Sequence, residues 1–209
     1  MSLPLVARYL DRYIPSSWIQ SNGNLRPHIR VAILAAAYLS LGGYLFLHGQ
    51  PLICECGYVK LWENEIQSGG NSQHIADWYT LSHFLHGVLI VMLWRLFFPR
   101  LPMRYAFLAG VVTAVSWEVI EHTEYVLSRF REATISFGYQ GDSVLNSMMD
   151  SIFMSIGLYA ATLLRLRNII ILFLTVELIS ASFARDSLIL STLMLLYPIE
   201  SVKMWQMGR

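Results

Sequence analysis

The sequence predicts an all-α, polytopic membrane protein: a bundle of about six transmembrane helices with both termini on the cytoplasmic side. Three observations carry that expectation. The 209 residues are 55% hydrophobic and only 14% charged, whereas soluble domains sit near roughly 45–50% and about 25%. Mean hydropathy is +0.47, so polar residues are too few to cover a soluble surface. Six spans of about 20 residues each fit this length with short loops. The same figures argue against a soluble globular enzyme and a disordered tail. A net charge of +1 leaves no basic footprint for DNA or RNA, and two cysteines cannot make a disulfide scaffold.

Residues 1–28 read as a cytoplasmic N-terminal segment. Arg8, Asp11 and Arg12 interrupt its apolar run, so it lacks the long hydrophobic core of a signal peptide. Leu5, Tyr9, Ile14 and Trp18 can lie on a membrane surface while Arg8 and Arg12 snorkel, or the segment can form an ordered cap. Residues 29–203 read as one transmembrane domain with an outer loop at 49–78, and 204–209 as a cytoplasmic tail. Span one covers about 29–48 and span two about 79–98. Pro99 and Pro102 then force a turn. Span three covers about 105–125 and span four about 143–164. The two short apolar runs between 169 and 199 read as a hairpin of two further spans, with Asp186 or Ser187 capping the second. The positive-inside rule orients the bundle: 11 of the 15 basic residues fall on the side shared by both termini and 4 on the other. The expected location is the bacterial inner membrane.

Charged groups inside a bilayer are costly and tend to be functional. Span two carries His83 and His86, and span three carries Glu118, Glu121, His122 and Glu124. Span four opens with Asp142, Asn146 and Asp150. The topology puts all three groups in the outer half of the membrane. Each set repeats at i+3 or i+4, so each forms one stripe on its helix. Imidazoles and carboxylates on facing helices are how bundles build metal sites, and His83, His86, Glu118, Glu121, Asp142 and Asp150 would suit zinc, manganese or iron. The same residues could instead form a hydrogen-bonded network holding the bundle shut, or a metal-free acid/base site. Arg129 and Arg131 could read an anionic head group, with Tyr139 and Asn146 beside it, or pair with Glu124, Glu132 or Asp142. In the outer loop, Cys54 and Cys56 could oxidise, bind metal with His48 or His74, or remain plain loop cysteines. Asp77, Ser72 and His74 lie where they could support the histidines of span two.

The strings NSQHIADWYTLSHFLHG, WEVIEHTEYVLSRFREATISFGYQGDSVLNSMMD and RDSLILSTLMLLYPIE resemble an uncharacterised bacterial inner-membrane family, a domain of unknown function. The resemblance runs from about Cys54 to Trp205. That family more often has Asn at position 122 and Ser-Pro at 123–124, which favours Glu118 and Glu121 over His122 as ligands. More distantly, the order of a His span, a Glu-rich span and Gly-Asp…Asn…Asp resembles the VanZ-like membrane proteins. Neither resemblance implies an activity. The residue types point first to a metal-dependent hydrolase or transferase acting on a lipid or amphiphile with an anionic head group. A small transporter or lipid- or antibiotic-binding protein using the cluster as a proton or ion relay is the alternative, and a structural partner of a membrane complex a third.

Overall fold

A computed structural model describes residues 9, 11–133 and 139–208. Among these the regular structure is helical: α1 (Pro27–Leu47), α2 (Trp78–Phe97), α3 (Met103–Glu121), α4 (Glu124–Ala133), α5 (Val144–Leu163), α6 (Leu166–Ala184), α7 (Leu188–Leu196) and α8 (Glu200–Gln206). Five of them, α1, α2, α3, α5 and α6, are long and apolar enough to cross a membrane. The starts are encoded locally. Pro27 stands in the first turn of α1, where its missing N–H costs nothing. Asp77 closes a capping box with Thr80 at α2. Ser143 and Ser187 cap α5 and α7 through their hydroxyls. Ser187 is one of the two caps expected there.

Helix α2 runs through the middle, packed against α5 above all and also against α3, α6 and α7. Glycine makes the α2–α5 contact possible. A Cβ on Gly87 would sit 1.9 Å from the Met154 carbonyl oxygen, and one on Gly157 would sit 2.0 Å from that of Phe84. The two backbones therefore touch, and parallel α2 and α5 are locked in register. Below this crossing the core is apolar, built from Leu85, Val88, Val91, Leu158, Ala161, Ile169 and Phe173.

The bundle has two distinct ends. At one, the N-terminal segment is tied down by Arg104, whose Nη2 lies 2.6 Å from Asp11 Oδ1, while Arg95 donates to the carbonyls of Leu164 and Thr162. This end collects Arg12, Arg26, Arg30, Arg95, Arg100, Arg104, Arg165 and Arg167. The opposite end holds the 48–77 loop, α4, and also α7 and α8. Arg129 of α4 donates to the Leu195 carbonyl at 2.9 Å, Lys203 to Glu132 O at 2.5 Å, and Arg185 to Trp205 O at 3.2 Å.

Two expectations need correction here. The second half of the expected hairpin is not a full span. Helix α7 has nine residues, about 14 Å at 1.5 Å per residue, half of a roughly 30 Å hydrocarbon core. With five long helices, the two termini lie at opposite ends of the bundle rather than on one side. Span three also ends earlier than expected, at Glu121. Glu124 belongs to the amphipathic α4 and is exposed, so it is not part of any buried stripe. Leu5 and Arg8, part of the expected interfacial face, lie outside the described residues.

Candidate functional site

The loop end of the bundle is polar because three helices bring their ionisable stripes together there. α2 contributes His83, α3 Glu118 and Glu121, and α5 Asp150, all buried. His83 stands between two carboxylates: its Nδ1 is 3.5 Å from Glu118 Oε1 and its Nε2 is 3.8 Å from Asp150 Oδ2. Ligand atoms of His83, Glu118 and Glu121 lie within 4.8 Å of one another. Two ligands about 2.0–2.2 Å from one tetrahedral zinc are separated by roughly 3.3–3.5 Å, which is the His83–Glu118 spacing. Asp142 and Asp150 do not belong to that compact triple. His86, one turn below, sits edge-on to His83 with ring centroids 5.8 Å apart and leans on Trp117.

Several atoms of this cluster are left unpaired. Glu118 Oε2, Glu121 Oε2, Asp150 Oδ1 and His86 Nδ1 are buried without a hydrogen-bond partner among the described residues. Buried polar atoms ordinarily find partners, and leaving one unmade costs about 1–3 kcal/mol, more for a charged group. So many unpaired carboxylate oxygens at one spot ask for positive charge, as bound cations or as protons.

His83, His86, Glu121 and Asp150 line a cavity of about 60 Å³, which also touches Tyr79, Phe130, Tyr139 and Asp142; Glu118 stands behind it. Helix α7 closes it with Leu188, Ser191, Thr192 and Leu195. That volume holds an ion with a few waters; a drug-sized ligand needs roughly 300 Å³ or more. Tyr139 donates its hydroxyl to Asp142 Oδ1. Burial raises the pKa of both Asp142 and Tyr139.

Other expected site residues serve different ends. Asn146 is fully buried, but its Nδ2 donates to the His74 carbonyl at 2.9 Å, away from the cavity. Arg129 holds the C-terminal carbonyls of α7. Arg131 bridges Glu124 Oε1 at 2.5 Å and the Tyr139 carbonyl at 3.0 Å. Arg131 thus follows the pairing alternative through Glu124, Arg129 meets none of the carboxylates expected for it, and neither lines the cavity. His122 is fixed as a backbone clamp, with Nδ1 on Glu118 O at 2.7 Å and Nε2 accepting from the Asp142 amide at 3.1 Å. That use of both nitrogens agrees with its low rank as a ligand.

The loop before α2 acts as a strap. Ser72, in left-handed conformation at φ 59°, donates its amide to Asp77 Oδ2 at 2.8 Å and accepts from the Ser143 amide at 3.1 Å. Gln73 reaches Gly141 O at 3.0 Å. These bonds fasten the cap of α2 to the start of α5 and so fix His83 against Asp150. Sequence reading anticipated a supporting role for Asp77 and Ser72, but it missed the contribution of α7. Ser191 and Thr192 look like ordinary interruptions of an apolar run, and only the short length of that run between Asp186 and Pro198 hinted at a lid.

A family described as "Protein of unknown function (DUF2585)" matches residues 45–208. A UPF0314 protein of Rhizobium meliloti is 44% identical over 162 residues, covering 78% of this chain and 82% of its own. One from Rhizobium etli is 40% identical over 178 residues, 85% and 89% of the two chains. Another, from Sphingopyxis alaskensis, is 39% identical over 176 residues, 84% and 94%. No solved structure matches the chain.

Proposed function

Because the chain belongs to the DUF2585 family of proteins of unknown function, its site has to speak for its activity, and we propose that it is a metal-dependent membrane hydrolase or transferase. The metal is divalent, zinc, manganese or iron, held by His83, Glu118 and Glu121. The observation that carries this reading is the buried carboxylate set gathered around one imidazole, three of its oxygens unpaired among the described residues. Asp150 faces the other nitrogen of His83 and orients the ring, as carboxylates beside metal-bound histidines do. A metal in such a site polarises a substrate carbonyl or phosphoryl group and acidifies a bound water. Asp142 and Tyr139, on the cavity wall, are the neighbouring groups able to exchange a proton with substrate.

The basic residues gathered at the opposite end favour a site near the outer face of the bacterial inner membrane. The substrate is then an amphiphile of which only the reacting group reaches into the small cavity beside α4 and α7, while its apolar part stays in the bilayer. Its polar part meets Asn71, whose buried side-chain oxygen has no partner among the described residues, and Ser191. The relay alternative finds less support, since the core below the cluster is apolar and Glu177 is engaged at Ile189 N, at 3.3 Å, in the first turn of α7.

Elemental analysis of purified protein tests the proposal. One metal per chain is expected. Glu118→Ala or His83→Ala should abolish it without loss of helical content. Asp150→Asn should keep the stoichiometry but weaken affinity by about 10–100-fold. Folded wild-type protein that takes up no divalent metal would sink the idea.

A further inference from the structure

The loop between α1 and α2 carries a second cluster of ligand-type atoms, separate from the membrane site. Cys54 and Cys56 are joined as a disulfide. Both sulfurs lie within 4.8 Å of each other and of a ring nitrogen of His74. His74 is 1% exposed. Its Nδ1 accepts the Lys60 amide at 3.3 Å, and the Tyr58 ring stacks on it at 5.7 Å. Its Nε2 is buried and lacks a hydrogen-bond partner among the described residues. Glu63 Oε2 is 3.8 Å away from that nitrogen. All of these groups line a polar cleft of about 1080 Å³.

We propose that these residues form a redox-gated metal site, in which the disulfide is the metal-free state and reduced Cys54 and Cys56 bind zinc together with His74. The argument rests on what is left unpaired. With Nδ1 accepting from the Lys60 amide, the neutral ring carries its proton on Nε2, a buried donor whose nearest carboxylate, Glu63 Oε2, is 3.8 Å away, and an unmade bond of this kind costs free energy that a change of partner can recover. Burial and the Tyr58 stack hold the ring; binding zinc at Nε2 moves the ring proton to Nδ1 and gives up the bond from the Lys60 amide. Two sulfurs and an imidazole nitrogen make a borderline-soft set that selects zinc over magnesium or calcium. Glu63 is the nearest oxygen for a fourth position; Lys60 Nζ, 2.6 Å from the same oxygen, neutralises it otherwise.

The redox step balances with an external dithiol as reductant. The Cys54–Cys56 bond takes up two electrons and two protons, giving two thiols, and the dithiol is oxidised to its own disulfide. Zinc then displaces the two thiol protons to solvent. Oxidation reverses the sequence and releases the ion, so the loop would report the local thiol balance through its metal content.

The test uses full-length protein in detergent, either left oxidised or treated with a phosphine reductant under argon. Both samples are equilibrated with cobalt(II), desalted and analysed for cobalt. The reduced sample is expected to retain one more cobalt per chain than the oxidised one and to show a thiolate-to-cobalt charge-transfer band that zinc removes. The oxidised wild type is the reference, so metal in the membrane site cancels and no substitution is needed. His74→Asn keeps an acceptor for the Lys60 amide and should lose the extra cobalt. Equal cobalt in the two redox states would overturn the proposal, as would a full increment and unchanged band in His74→Asn.

Discussion

Asp77 shows how one side chain near this site serves two masters. Its carboxylate accepts the amides of Tyr79 at 2.8 Å and Thr80 at 3.2 Å, capping α2, and the Ser72 amide at 2.8 Å, holding the strap. Burial nevertheless pushes its pKa up to about 6, so desolvation outweighs three amide donors. Asp77→Ala removes a cap worth about 1–2 kcal/mol and orphans the Ser72 amide. It should lower the melting temperature and loosen the α2–α5 register, read by thermal unfolding. The pH dependence has a definite sign. Because the folded-state value is raised, the contribution of Asp77 is full below the ordinary value near 3.8 and declines as pH rises through 6. Asp77→Asn should flatten that part of the curve between about pH 4 and 7, and an unchanged slope would refute the assignment. At this scale the sequence was legible where residue type and helical period sufficed: His83, Glu118, Glu121 and Asp150 do converge. It misled where one side chain has several plausible partners. Arg129 and Arg131 are donors with free choice, and tertiary folding delivered them to the α7 carbonyls and Glu124.

Among the elements, α2 and α5 decide whether the site exists. Their contact leaves no room for a side chain at Gly87 or Gly157, and the atoms in the way belong to backbone, which cannot rotate aside. Gly87→Ala and Gly157→Ala should therefore cost at least the 1–3 kcal/mol typical of overpacking, and should drive His83 and Asp150 apart. Gly43, with nothing within 4 Å of its would-be Cβ, is the internal control. Gly43→Ala should leave stability unchanged or raise it by up to about 1 kcal/mol, the ordinary helix-propensity gain. Thermal unfolding of the three variants side by side checks this. Helix existence was legible from apolar runs and breakers. Helix contact was not, because a glycine in a span reads the same whether it faces lipid or another backbone.

The whole molecule turns on the last forty residues. Hydropathy sees two apolar runs separated by Ala184-Arg185-Asp186 and joins them into two spans, since composition does not say whether a run crosses or folds over. The stop is physical: Ser187 caps a helix that ends at Leu196 just before Pro198, and Arg129 holds its last carbonyls at the loop end. Among the described residues five helices are therefore long and apolar enough to cross, and the C-terminal helix sits with the 48–77 loop. Transferring Lys203 to that end still leaves the basic residues concentrated at the other, so the orienting bias keeps its sign. Single cysteines in a Cys54→Ser, Cys56→Ser background test the arrangement. Glu65→Cys and Ser201→Cys should react with an impermeant maleimide from the same side of the membrane, and Tyr13→Cys from the opposite side; all three positions are exposed. Six crossings would instead pair Ser201→Cys with Tyr13→Cys. The distinction reaches the site itself. If α7 crossed the membrane, it would leave the cavity at His83 and Glu121 open toward the loop side; as a half-length helix it closes that cavity with Leu188, Ser191, Thr192 and Leu195.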